Sequence, residues 1–180
     1  MLLHGLDATK RGEMSTFIQS QDTDVLVLML WTYKRLCLDT TLTAETEGTG
    51  RSTPLGQLYE VVGEDLVEAL PGFHAFSRLD QTGTISGKSK VCFWNNLKKA
   101  KRPILDAFCS LGNGDTIPDD TYIKLKCFVC QLYIPSTQLR TIGEVRWLLF
   151  SKRQYVDEQL PPTKAALRQM TRRANLVALV

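Results

Sequence analysis

What this sequence lacks narrows its class before any motif is considered. No apolar leader opens it, and its longest apolar stretch, Val25 to Trp31, falls far short of the ~20 residues that span a bilayer. A membrane-spanning role is therefore not expected. Its five cysteines, Cys37, Cys92, Cys109, Cys127 and Cys130, are odd in number and carry no disulfide-framework spacing, which predicts reduced thiols and an intracellular protein of the nucleus or cytoplasm. There are only two histidines, His4 and His74, and neither has a Cys or carboxylate at ligand spacing. Cys109 has no evident activating base, so a cysteine-hydrolase mechanism has nothing to rest on. Charge of one sign is also scarce: 22 basic against 19 acidic residues leave +3, too little to announce a nucleic-acid binder unless the basic residues cluster. No internal repeat is apparent.

What is present suits a folded domain. The chain has 180 residues, 43% of them hydrophobic, enough for a core and against wholesale disorder. Met1 to Arg11 reads as a helix, with Leu2, Leu3 and Leu6 sharing a face and Gly12 as a stop. The pattern is already helical at Met1, which suggests a truncated product; a natural start with a frayed helix is the alternative. Thr16 to Gln19 reads as a strand. Val25 to Tyr33 reads as a short helix, with a strand as the rival. Thr40 to Ser52 reads as a loop or exposed hairpin. Pro54 opens a helix to about Val62, because its missing N–H costs nothing there. Glu64 to Leu70 reads as another helix, stopped by Pro71-Gly72. Phe73 to Gly87 reads as a glycine-shaped loop. Helices are then expected near residues 88–100, 103–111, 119–132, 139–150 and 163–179. The predicted architecture is a small α/β layer followed by a helical cluster.

Two segments carry candidate chemistry. In Ser20-Gln21-Asp22-Thr23-Asp24, a strand ends and two carboxylates sit one residue apart. Sites in α/β sheets form at the carboxyl ends of strands. Carboxylates ~4 Å apart repel by roughly 1 kcal/mol in water and ~4 kcal/mol at an effective dielectric of 20, and a hard divalent cation such as Mg²⁺ or Mn²⁺ offsets that best. The plainer reading makes Asp22 an N-cap, with Asp24 favoured by the helix dipole. The second segment runs from Gly72 to Lys90. There Asp80 precedes a loop bounded by Gly83 and Gly87, and the next helix opens with Lys88 and Lys90, a helix start suited to phosphate. Its plainer reading is a tight interhelical turn with solvated lysines.

Cys127-Phe-Val-Cys130 has C-x-x-C spacing but no second pair, so buried thiols are expected over zinc or redox chemistry. Trp31, Trp94 and Trp147 lie in apolar helical stretches, and core packing is expected for all three. Lys164, Arg168 and Arg172 recur every four residues in a stretch, Thr163 to Val180, that has no Asp or Glu. They form one basic face for phosphate or an acidic partner, or simply a solvated face. Ala165, Ala166, Leu167, Met170 and Leu176 are expected to form the docking side of that helix.

Asp22-Thr-Asp24 together with Gly72-Phe-His-Ala-Phe-Ser-x-x-Asp80-x-Thr-Gly and Gly87-Lys88-x-Lys90 resembles the PIN-like nucleases of the flap-endonuclease type. Over nearly the whole chain it resembles a group of proteins encoded by repetitive elements in animal genomes, including Phe128 to Tyr133, Arg146 to Lys152 and Leu160 to Thr163. The resemblance to flap endonucleases proper is distant and confined to residues ~1–100.

It implies an α/β fold, a truncated PIN-like parallel sheet with a C-terminal helical cluster, divided into a partial nuclease core at 1–100 and a helical region at 101–180. It implies two Mg²⁺ or Mn²⁺ ions held by an acidic cluster, with Asp22, Asp24 and Asp80 as catalytic and metal-binding residues. Gly83 to Lys90 would grip DNA or RNA. The sequence also departs from the family. The upstream acidic motif and an earlier strand with its own Asp are missing, and the bulky Arg78-Leu79 replaces a small pair before Asp80. The expected function is thus a remnant of a metal-dependent phosphodiester nuclease, weak or inactive as this chain. One alternative is a nucleic-acid or protein binding module without catalysis; another is a degenerate fragment with no selected function.

Overall fold

The computed structural model describes residues 7, 10–12, 15–20, 22–35, 41–46, 51–77, 85, 87–135, 137, 139, 141–152 and 159–178. Among these are β1 (Ser15–Gln19), α1 (Thr23–Thr32), a 3-10 turn (Tyr33–Arg35), β2 (Thr41–Thr46), β3 (Arg51–Pro54), α2 (Leu55–Val62), α3 (Glu64–Ser77), α4 (Lys90–Leu97), α5 (Arg102–Cys109), α6 (Asp119–Tyr133), α7 (Ile142–Ser151) and α8 (Lys164–Ala178). The chain divides into two compact units, residues 1–71 and 72–180. Residue 100, the expected boundary, falls between α4 and α5, inside the second unit.

The expected PIN-like parallel sheet is not the architecture. The described chain is predominantly helical, and everything after β3 is helix or connection. Its one sheet has the order β1-β2-β3. β1 pairs parallel with β2, Ser15 opposite Thr41, but β2 and β3 form an antiparallel pair, Thr43 opposite Pro54. A parallel α/β layer needs a crossover of a dozen or more residues between neighbouring strands; only four residues separate β2 from β3. In this first unit, α2 packs on β2, β3 and α1. Met29 and Leu55 form a small core flanked by Val25, Leu26, Tyr33 and Leu58.

The second unit is organised around α6, which contacts α4, α5, α7 and α8. Its length and its buried stripe, Leu125, Phe128, Val129 and Leu132, make it the axis of the core. Four phenylalanines meet there. Phe108 lies with ring centroids 5.1 Å from Phe128, 5.6 Å from Phe73 and 5.7 Å from Phe76, all edge to face, the arrangement the ring quadrupoles favour. Phe73 and Phe76 are three residues apart on α3, which explains why that helix does not stop at Pro71 as the sequence suggests. Pro71 sacrifices one backbone hydrogen bond inside a helix, and burying two aromatic rings outweighs it.

α8 is amphipathic. Leu167, Met170, Thr171, Ala174 and Asn175 are its buried residues, the i, i+3, i+4 stripe expected of a docked helix. Ala165, Ala166 and Leu176, expected on that docking side, are exposed instead. Asn175 ties the helix down: its Oδ1 accepts from the Gly112 amide at 3.0 Å and its Nδ2 donates to the Gly114 carbonyl at 2.6 Å. Gly112 sits at φ +86°, in left-handed backbone that glycine adopts without strain. No helix among the described residues is long and apolar enough to cross a membrane.

Candidate nucleic-acid interface

Asp22 and Asp24 lie just beyond the carboxyl end of β1, where the sequence placed them. Asp22 is the N-cap of α1: its Oδ1 accepts the Asp24 amide at 3.0 Å, and its own amide is held by the Ser20 hydroxyl at 3.1 Å. The N-cap satisfies one of the donors that a helix start leaves open. Asp24, half-buried, sits in the first turn, where the helix dipole favours a carboxylate. Asp80, the third expected ligand, and Gly83 lie outside the described residues. Among the described residues, no group of three His, Cys, Asp or Glu side chains is placed to hold a metal ion.

The basic half of the candidate site is better defined. Gly87 turns the chain at φ +72°, Ser89 caps α4 by accepting the Cys92 amide at 3.2 Å, and Lys90 opens the helix. Lys88 is half-buried, its ammonium 4.7 Å from the centre of the Tyr133 ring. That cation–π contact holds it on the body and diminishes its reach toward a ligand. α4 turns Phe93 and Leu97 inward; Phe93 meets Phe128 at 6.2 Å, and Asn96 Nδ2 donates to the Phe128 carbonyl at 3.3 Å. Packing on that side leaves Lys90, Val91, Asn95, Lys98 and Lys99 exposed.

Sequence reasoning stopped at Lys90 and missed the lysines at the far end of α4. From Gln81 to Leu105 there is no Asp or Glu, while Lys88, Lys90, Lys98, Lys99, Lys101 and Arg102 fall within that stretch. The acid-free run was the available signal. Lys98 is the C-cap of α4 and Lys101 the N-cap of α5, so the lysines gather at one interhelical turn. Lys98, Lys99 and Lys101 are exposed and make no ion pair among the described residues. Arg102 is committed to Asp106, 2.8 Å away. The N-terminal end of α5 adds a positive partial charge beside Lys101.

The face of α8 is less free than its spacing implies. Lys164, Arg168 and Arg172 are all exposed. The Arg168 guanidinium, however, pairs with Asp119 at 3.0 Å and lies 5.2 Å from the centre of the Tyr122 ring. Tyr122 in turn donates its hydroxyl to the Lys164 carbonyl at 3.1 Å. Arg172 borders a cleft of about 440 Å³ that Asp115, Asp119, Tyr122 and Asn175 also line. Two carboxylates offset the two guanidinium groups at the cleft, while Lys164 and Arg173 stay exposed outside it.

Cys127 and Cys130 both lie on α6, and both thiols are free. Cys130 is fully buried, and burial pushes its thiol up to about 11. A thiol held protonated is a poor nucleophile at neutral pH, and Cys127, the other member of the pair, is half-buried. His74 is part of α3 rather than of a loop, and its carbonyl accepts from the Ser77 hydroxyl at 3.3 Å. Trp147, expected in the core, is 71% exposed. Comparison with protein-family models, with curated proteins and with solved structures finds no match to this chain.

Proposed function

We propose that this chain is a nucleic-acid-binding module that grips the phosphate backbone through the α4–α5 turn. The observation that carries this reading is the exposed set Lys98, Lys99 and Lys101, without an ion pair among the described residues, joined by exposed Lys90, in a stretch without a single carboxylate. Lysine charges on a rigid turn offer point contacts to successive phosphates without specifying bases. Lys90 lies at the other end of α4 from Lys98, and Lys88 is held on the Tyr133 ring.

A second reading, a remnant metal-dependent phosphodiester nuclease, has one observation in its favour. Asp22 and Asp24 follow the carboxyl end of β1, whose neighbour β2 is parallel, a location where active sites of α/β proteins form. Asp22, Asp24 and Asp80 would hold Mg²⁺ or Mn²⁺, whose chemistry is to activate a water against phosphorus. Mn²⁺-dependent turnover of labelled single-stranded or flap DNA, abolished by Asp22→Ala, would establish this reading.

The test of the binding reading is a salt titration with labelled DNA. With about four phosphate contacts, the logarithm of affinity should fall against the logarithm of salt with a slope near −3 to −4, at ~0.7–0.9 per contact. Absence of binding at low salt, or a slope near zero, would overturn it.

A further inference from the structure

α4 shows solvent the side opposite its buried residues. By helical geometry, Asn95 points away from the midline between Phe93 and Leu97, the buried pair. Around Asn95 on that exposed face stand Val91, four residues before it, Lys98, three after, and Lys99, four after. Residues at these spacings are surface neighbours. All are exposed, Val91 at 67%, and Lys101 follows at the start of α5. No carboxylate occurs from Gln81 to Leu105, so the ionised side chains that this stretch brings to the face are all cations.

Neither Val91 nor Asn95 is there for the helix. Both form helices less readily than alanine. Asn95 caps neither end of α4, where Ser89 and Lys98 stand, and its amide makes no hydrogen bond among the described residues. The face therefore offers an unengaged donor–acceptor fork, a methyl-bearing side chain one turn away, and lysines beside them.

Such a face fits a partner that is anionic, admits a helix and displays hydrogen-bonding edges. The major groove of duplex DNA meets all three conditions: it is ~12 Å wide and takes an α-helix. An Asn amide pairs there with N6 and N7 of adenine, and an apolar side chain contacts the thymine methyl. Val91 to Lys98 spans ~10 Å at a rise of ~1.5 Å per residue, close to three base-pair steps of ~3.4 Å. A-form RNA has a major groove too deep and narrow for side chains to read, and a single strand has no groove.

We propose that α4 enters the major groove of duplex DNA and that Asn95 reads an adenine there, with Val91 against a neighbouring thymine methyl. This rests on the backbone-binding reading, in which Lys98, Lys99 and Lys101 hold the phosphates, and adds base selection to it. The test selects duplexes with the full chain from a pool carrying a random central segment, then compares the enriched duplex with a scrambled one.

The wild-type chain is expected to enrich a short segment containing an adenine and to bind it roughly 5- to 150-fold more tightly than the scrambled duplex, the usual discrimination of one bidentate contact. Asn95→Ala should abolish that preference while keeping the scrambled-duplex affinity and its salt slope. Its melting temperature should not fall, because alanine favours the helix. Replacing the selected adenine by 7-deazaadenine, which lacks the N7 acceptor, should weaken binding of the wild-type chain and leave that of Asn95→Ala unchanged. Lys98/Lys99/Lys101→Gln should weaken both duplexes together. Salt-dependent binding without an enriched sequence, enrichment that Asn95→Ala leaves intact, or equal affinity for duplex RNA of the same sequence overturns the base reading and leaves the backbone reading standing. Failure of the wild-type chain to bind any duplex overturns both.

Discussion

Phe108→Ala is expected to lower the stability of the helical unit by about 3–5 kcal/mol, the usual cost of emptying a fully enclosed phenylalanine site. Phe108 is 0% exposed and its ring touches those of Phe73, Phe76 and Phe128 edge to face. Its removal therefore deletes three aromatic contacts besides the buried area. The hole would be lined by rings anchored on α3 and α6, which cannot collapse into it without moving their helices. Against a total stability of ~5–15 kcal/mol for a typical domain, a loss of this size removes from about a fifth to all of it. Urea denaturation followed by circular dichroism measures it. A loss below about 1 kcal/mol would mean that Phe108 is not at the centre of the core.

Gly72→Ala should also destabilise, by roughly 2–4 kcal/mol, and here the sign is the informative part. Gly72 is helical, within α3. In an ordinary helix interior, alanine is favoured over glycine by about 0.8–1.0 kcal/mol, so the substitution would be expected to stabilise. A Cβ at Gly72 would overlap the carbonyl oxygen of Phe108, and would lie 3.0 Å from its carbonyl carbon and 3.1 Å from Leu111 Cβ. The obstacle is backbone at the end of α5, which no rotamer change can clear. Overpacking of this kind costs about 1–3 kcal/mol, occasionally more. A thermal midpoint raised by Gly72→Ala would show that α3 and α5 do not approach so closely.

How much of the fold was legible depends on where each signal lay. The helices of the second unit follow their local patterns, and three of them, α4, α7 and α8, begin at hydroxyl caps, Ser89, Thr141 and Thr163. Thr141 and Glu144 form a capping box that the sequence carries openly. Pro71 misleads, because the benefit of continuing α3 comes from Phe108 and Phe128, remote in sequence. Trp147 could have been placed correctly: Ile142, Val145 and Leu149 define the buried stripe, and position 147 falls off it. The pairing of Arg168 with Asp119, 49 residues away, leaves no local trace, so the face of α8 looked freer than it is. The PIN-like sheet was expected from motif resemblance, and strand propensity does not reveal how many strands will pair or in which direction. Asp22 was legible both as a cap and as a ligand, and capping leaves further lone pairs on its carboxylate.

The claim on which the functional account depends is that the α4–α5 lysines, rather than the α8 cations, meet the phosphate backbone. Salt slopes for DNA binding by two variants decide it: Lys98/Lys99/Lys101→Gln and Lys164/Arg168/Arg172→Gln. Loss of three contacts should flatten the slope of the first by about 2–3, while the second keeps a slope close to that of the unaltered chain. The reverse pattern, or equal flattening in both, would contradict the account.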